Sequence, residues 1–298
     1  MIAEYSELMC YKQIELESHG KLQFFLEKHS TKEGTWGQLT LLEGAIDFVF
    51  LNGRGQELSR TRINEEHPQL LISPAAWHKI IPVSEPFKAN LKFYCMPQRY
   101  FNKKYGLGAA HSDLVYAYQT YLRHLQPTSI LDVGCGSGRN LLYLTKMGHK
   151  VTGIDHNPSA LETIEDILQK ENLPGVDMLL HDLNQPLNIE PECYDLVLST
   201  VTLQFLNRQR IPELLTELQK ATKKKGYHFL VFPIHSELYS LPKFFTFLPQ
   251  KEELYHVYQD SGWSILEYKE SVGHLHKQDE RGRPISGLFG LLLAQKSA

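Results

Sequence analysis

The sequence predicts an α/β chain in two parts: a small all-β domain over residues 1–97 and, over 98–298, a doubly wound parallel sheet closed by a C-terminal antiparallel hairpin. Three observations predict it. Short β-type runs alternate with turns before residue 97, and strands alternate with helices after it. At the start of the second pattern, an apolar run ends in a turn with a glycine at every second position. Strands separated by helices of about 10–15 residues make βαβ units, and βαβ units make a parallel sheet.

In the first part the β-type runs are 36–42, 45–51, 57–63, 69–73, 78–83 and 88–94. Asn52-Gly53-Arg54-Gly55 is a hairpin signal, because φ > 0 comes easily to Asn and Gly. Pro74, Pro82 and Pro86 are read as punctuating the runs, where no ladder hydrogen bond is lost. Six strands in about 75 residues predict a sandwich or barrel.

In the second part Leu114, Tyr118, Tyr121, Leu122 and Leu125 recur at helical spacing after a Ser112-Asp113 start signal. A strand over 129–133 follows, then a helix over 141–147 stopped by Gly148, and a strand over 150–154. Asn157 and Pro158 open the next helix as N-cap and first helical residue, with Leu161, Ile164 and Leu168 facing inward. Strands follow at 176–180 and 194–199, then a helix carrying Ile211, Leu214, Leu215 and Leu218. The basic run 223–225 before Gly226 reads as the last turn of that helix, where cations complement the dipole. A strand over 227–232 and a helix over 251–259 lead to β-runs 263–271 and 288–295. Only the turn-rich segment 278–284 separates these two, too little for a parallel crossover, so they pair antiparallel at the sheet edge.

The turn 130–140, I-L-D-V-G-C-G-S-G-R-N, carries the chemistry. Gly134, Gly136 and Gly138 let a ligand approach the backbone, and the helix that follows points free N–H groups into the turn. The spacing is G-x-G-x-G rather than the dinucleotide G-x-G-x-x-G, whose third glycine would fall where Arg139 stands. Asp132 two residues ahead would repel a pyrophosphate but suits an ammonium, which argues for S-adenosyl-L-methionine and against a nicotinamide oxidoreductase. Ligands of open α/β sheets bind beyond the carboxyl ends of the strands. Asp155 ends the second strand, placed to accept from both ribose hydroxyls. Asp182 follows the third, placed to accept from the adenine amine while Leu183 offers its N–H. Ser199 and Thr200 end the fourth beneath the methionine portion, and Arg139 is placed to fork onto the cofactor carboxylate. On the acceptor side, the terminal hairpin gathers His274, His276, Lys277, Arg281 and Arg283. A histidine there can act as a base or bind an oxyanion, and the cations would draw an anionic substrate. His111 is a second candidate.

The chain has 42% hydrophobic and 22% charged residues and a net charge of −3, which gives no electrostatic case for nucleic acid. No run approaches the length needed to span a bilayer, so no membrane partner is expected. The opening M-I-A-E-Y-S-E has no basic-then-apolar signal pattern, and the four cysteines lack C-x-x-C spacing. The expectation is a cytoplasmic protein, with a homodimer left open as its assembly.

Several motifs carry a family resemblance. They are K-H-S-T-K-E-G-T-W-G-Q-L-T (28–40), P-A-A-W-H-K-I (74–80), Y-F-N-K-K-Y-G (100–106), L-D-V-G-C-G-S-G-R-N (131–140), Y-D-L-V-L-S-T-V (194–201), F-L-N-R (205–208) and V-G-H-L-H-K-Q-D (272–279). On these the chain resembles the tellurite-resistance methyltransferases of the TehB type, in the long form with an N-terminal cupin-like domain. The resemblance implies a Class I, Rossmann-like methyltransferase fold, and methyl transfer from S-adenosyl-L-methionine to tellurite or a selenium species. It places cofactor contacts on Tyr105, Gly134, Arg139, Asp155, Asp182, Leu183 and Thr200, and the acceptor-side group on His276. The family usually has Arg where Lys277 stands, and a further Arg where Pro284 stands, with Arg283 one place early. Thr202 and Gln204 bring polar groups into a stretch that is V-L-M-F-L in the family. These departures bear on the acceptor, not the cofactor. In the first domain His29, Glu33 and His78 are the candidate metal donors. The H-x-H pair of metal cupins is absent, so no metal is expected and a ligand-sensing or interaction role is. A cofactor-binding sensor without turnover is the alternative to an enzyme.

Overall fold

A computed structural model describes residues 7–17, 23–125, 128–278 and 281–298. The chain divides into two compact units that meet at Ala109 and Ala110.

The first unit contains β1 (Met9–Glu17), α1 (Gln23–Leu26), β2 (His29–Ser30), β3 (Trp36–Glu43), β4 (Ile46–Leu51), β5 (Glu57–Ile63), β6 (Gln69–Ile72), β7 (Trp77–Pro82), β8 (Lys88–Cys95) and α2 (Tyr100–Tyr105). Two four-stranded antiparallel sheets form, in the orders β1-β8-β3-β6 and β2-β7-β4-β5. Burial alternates along β3 and β8, as a sheet with one inward face requires. Leu16, Leu39, Phe48, Ile80, Phe87 and Leu91 fill the interior. Two strands are additional to the six read from the sequence. In β1 only Leu16 is buried, so its apolar signal is faint, and β2 is two residues long.

The second unit contains α3 (Ser112–Ala117), β9 (Ser129–Val133), α4 (Arg139–Lys146), β10 (Lys150–Asp155), α5 (Pro158–Glu171), β11 (Val176–Leu180), β12 (Tyr194–Thr200), α6 (Ile211–Ala221), β13 (Thr222–Ile234), α7 (Glu253–Asp260), β14 (Ser264–Gln278) and β15 (Pro284–Gln295). Its seven-stranded sheet has the order β11-β10-β9-β12-β13-β15-β14. The first five strands are mutually parallel; β15 runs antiparallel to both β13 and β14. The α/β doubly wound sheet with a terminal hairpin is therefore the observed fold. The chain reverses its winding between the adjacent strands β9 and β12, which is where such sheets bind ligands. Asn157 caps α5 as its pattern predicts, accepting from Ser159 N, with Pro158 in the first turn.

Three local readings change. Residues 223–225 are not a helix end: α6 stops at Ala221 and they open β13 as an irregularity in its pairing with β12. There Lys223 Nζ lies 2.9 Å from Asp195 Oδ2, a pairing that sequence spacing does not reveal. The first helix of the unit is short and continues as a π-helical turn, Tyr118–Leu122. The terminal strands reach well into the polar segment, so His274 and the backbone of His276 lie in β14 and not in a loop. Among the described residues no helix is long and apolar enough to cross a membrane.

Candidate functional site

The turn after β9 is built from within. Its chain end is drawn onto β10 by two N–H groups, of Gly134 and Cys135, which both donate to Ile154 O at 2.8 and 2.9 Å. Gly136 N then donates to Asp155 Oδ2 at 2.8 Å, and Asn157 N to Asp155 Oδ1 at 2.9 Å. One buried carboxylate thus joins the glycine turn to the start of α5. Each of its oxygens has a second lone-pair site, enough to accept from a pair of hydroxyls.

The three glycines serve three purposes. All have positive φ, at +75°, +54° and +82°. A Cβ on Gly134 would collide with the Thr202 side chain, and one on Gly138 would meet Ile164 Cγ1 at 2.7 Å. A Cβ on Gly136 would meet nothing within 4 Å. Gly134 and Gly138 therefore make room for the protein itself, whereas Gly136 leaves room above the turn.

Asp132 is 1% exposed, and its Oδ2 is buried without a hydrogen-bond partner. Burial lifts its carboxyl to about 7; Arg139 and the Leu141 N–H pull it down, and Asp155 pushes it further up. An unsatisfied buried carboxylate is a receptor for a cation. Arg139 is the first residue of α4 and half-buried, and burial holds its guanidinium below the usual range against the pull of Asp132.

The end of β12 closes the other side. Thr200 is buried, and its Oγ1 accepts from Asn140 Nδ2 at 2.8 Å; Asn140 Oδ1 accepts from His111 N at 2.9 Å. Val201 has φ +57°, a strained conformation for a β-branched residue. Its N–H donates to Val231 O at 2.7 Å, and its carbonyl accepts from Gln204 Nε2 at 2.6 Å. Thr202 Oγ1 reaches Gly134 O at 3.3 Å. Beyond β11, Asp182 is exposed and its Oδ1 accepts from the N and Nδ2 of Asn184, at 2.9 and 3.1 Å. Asn184 Oδ1 in turn accepts from Asn207 N at 2.8 Å, which links the loops after β11 and β12. Leu183 packs into the core and its carbonyl accepts from Arg210 Nε at 3.2 Å.

Asp132, Gly134, Gly136, Arg139, Asp155, Asp182, Leu183 and Thr200 thus all lie at the carboxyl end of the sheet: Asp132, Asp155 and Thr200 at the ends of β9, β10 and β12, the two glycines and Arg139 in the turn after β9 and the first residue of α4, and Asp182 and Leu183 in the loop after β11. Tyr105 falls in the first unit, at the end of α2, with its ring stacked 6.2 Å from Phe101. The side chains of His276 and Lys277 lie outside the described residues. Arg283 is exposed, just before β15. His274 is exposed, its Nδ1 3.2 Å from Ser286 Oγ. His111 caps α3, its Nδ1 accepting from Asp113 N at 3.3 Å. Sequence reasoning missed Asn140 and Asn184; nothing in their spacing marks the long-range bonds they make, to Thr200 60 residues away and to Asn207 23 residues away.

In the first unit His29 and His78 face each other across β2 and β7, with ring centres 4.2 Å apart. Each donates its Nδ1–H to a backbone carbonyl, of Glu27 at 2.9 Å and Ala76 at 2.8 Å. Burial lowers both, His78 to about 4. Phe48 stacks on His78 at 4.8 Å, so the pair is packed as core aromatics. Glu33 is exposed, and the described residues contain no group of three or more metal-donor side chains.

Two family models match the chain: "Tellurite resistance protein TehB" over residues 93–293 and "TehB-like domain" over 23–91. The chain is 39% identical over 292 residues to a "Probable S-adenosyl-L-methionine-dependent methyltransferase TehB" of Haemophilus influenzae, covering 98% of this chain and 99% of that protein. It is 36% identical over 260 residues to "Hemagglutinin 1" of Eikenella corrodens, 87% of this chain and 83% of that protein. The crystal structure of TehB from Haemophilus influenzae superposes with a TM-score of 0.91 at 37% identity, over 98% of this chain and all of that one.

Proposed function

The chain belongs to the TehB family of S-adenosyl-L-methionine-dependent methyltransferases, and from that premise we propose that it methylates a small oxyanion, tellurite or selenite, as a detoxifying step. The cofactor supplies a sulfonium methyl that is already activated, so the protein's work is alignment and the exclusion of water. The residues fit that group: a buried carboxylate at Asp132 with one oxygen unpartnered, open space over Gly136, and an anchored carboxylate at Asp155. The Asp155 bridge is the observation that carries the reading. In it the carboxylate that ties the turn together keeps lone pairs for both ribose hydroxyls. Asp132 takes the ammonium, Arg139 and Thr200 the carboxylate end, and Asp182 with the Leu183 N–H the adenine. Tyr105 joins this set through the Y-F-N-K-K-Y-G motif.

The acceptor half rests on the family and on charge. Arg281 and Arg283 lie exposed on the terminal hairpin, which would draw an oxyanion. His276 is proposed to orient the acceptor, with Lys277 and Arg283 as its cationic neighbours. Lys277 offers a point charge where a guanidinium would offer a planar fork. The first domain is proposed to be cupin-like and to bind a ligand or partner.

The test is S-adenosylhomocysteine production by the purified protein with tellurite, selenite, and a panel of thiols and amines. Product with the oxyanions and not with the panel is expected. Turnover of a thiol or amine alone would sink the oxyanion assignment while leaving the methyltransferase standing.

A further inference from the structure

We propose that Asn140 is a positioning residue that fixes the Thr200 hydroxyl as a hydrogen-bond donor aimed at the carboxylate of the cofactor. The proposal rests on the cofactor reading above and deepens it. Its force lies in direction. The His111 backbone N–H can only donate, so the group of Asn140 that faces it at 2.9 Å must be the carbonyl oxygen. The other face of the amide is then the NH₂, and it lies 2.8 Å from Thr200 Oγ1. An amide NH₂ cannot accept, so Thr200 Oγ1 receives this bond and its own hydrogen points away from Asn140.

The chain of donors thus runs one way, from the His111 N–H through Asn140 to the Thr200 hydroxyl. Its origin is a backbone group that cannot reverse. Asn140 is 3% exposed and Thr200 8%, so water competes weakly for either. A hydroxyl polarised in this direction is suited to an anion and poorly suited to a cation. The neighbouring Val201, held at φ +57°, fixes the backbone at the end of β12 where Thr200 projects.

The experiment compares two ligands by calorimetry and competition: S-adenosylhomocysteine and its decarboxylated analogue, which keeps the ammonium, ribose and adenine. In the wild type S-adenosylhomocysteine should bind at least about tenfold more tightly, the scale of a hydrogen bond to a charged group. Thr200→Val and Asn140→Ala should each weaken S-adenosylhomocysteine by about that factor and leave the analogue within about twofold. The double variant should be no weaker than the worse single one, since both cut the same chain. Thr200→Ser should restore discrimination. Asn140→Asp, which invites the Thr200 hydrogen back toward residue 140, should lose it. Equal weakening of both ligands would mean that Asn140 merely holds the fold, and the proposal would fall. So would additive losses in the double variant. If the wild type bound neither ligand, the cofactor reading itself would fall first.

Discussion

Two ends of the second domain are built in different ways. The turn after β9 is held by its own hydrogen bonds: three consecutive N–H groups, of Gly134, Cys135 and Gly136, are committed to β10 and to Asp155. The hairpin formed by β14 and β15 carries its polar groups outward, with His274, Arg281 and Arg283 all exposed. A site made from backbone and buried carboxylates tolerates little change, because each replacement disturbs the fold that presents it. Exposed side chains on a hairpin can be exchanged one at a time. Of the departures from the family pattern, Arg283 and Pro284 fall on the second kind of surface, Thr202 and Gln204 lie buried just beyond β12, and the glycine turn itself has none. The two ends of this one domain are therefore built with different tolerance for change.

The largest expected effect breaks the first end outright. Gly134→Val adds a branched side chain at positive φ against Thr202, and S-adenosylhomocysteine affinity should fall more than about 100-fold with a lowered Tm. Gly136→Ala separates the two costs. No protein atom meets its Cβ, so stability should drop only by the price of a left-handed alanine, about 1–2 kcal/mol, while ligand affinity falls sharply. Unchanged affinity in Gly136→Ala would show that the space over the turn is not where the ligand lies.

Next comes Asp132, whose carboxyl titrates near 7 in the folded protein because it is buried. Below that pH a growing share is protonated and cannot pair with an ammonium, so S-adenosylhomocysteine affinity should weaken toward tenfold per pH unit. Asp132→Asn should bind weakly with a flat pH profile. The sign for stability is opposite. A carboxyl raised above its unfolded value of about 3.9 disfavours the folded state at high pH, so the unliganded Asp132→Asn protein should melt no lower than wild type at pH 8. A pH-independent wild-type affinity would remove Asp132 from the site.

The smallest effect belongs to the hairpin. Arg281→Ala or Arg283→Ala should raise KM for the oxyanion a few-fold, less so as salt increases, with S-adenosylhomocysteine affinity unchanged. A matching loss of cofactor affinity would mean that the two ends are not separable.

Much of this was legible in the sequence because the signals are local. The Asp-x-Gly-x-Gly-x-Gly turn, the Asn157-Pro158 helix start and the short gap before the last strand each lie within a dozen residues. What escaped was long-range or weakly patterned. β1 has one buried side chain, so alternation could not betray it. Residues 223–225 look like a helix end because Lys-Lys-Lys-Gly suits one, but Asp195 on the neighbouring strand claims Lys223. Asn140 sits in the recognised motif, yet its role depends on Thr200 and His111, which only the fold brings near.

The order β13-β15-β14 has a further consequence, for biogenesis. The strand β15 is not at the rim of its sheet but is inserted between two strands that precede it in the sequence. Until residues 284–295 have emerged, β13, almost wholly buried from Gly226 onward, has an open flank, and β14 has no neighbour to dock on. Lys296 then ties the strand down, its Nζ donating to the carbonyls of Gln219 and Thr222 at 2.7 and 2.6 Å. Completion of the sheet therefore waits for residues 284–295, because neither β13 nor β14 can pair with the other without them. A nascent chain arrested near residue 280 would hold an unfinished, adhesive sheet, and deletion of residues 284–295 would expose the flanks of β13 and β14 together.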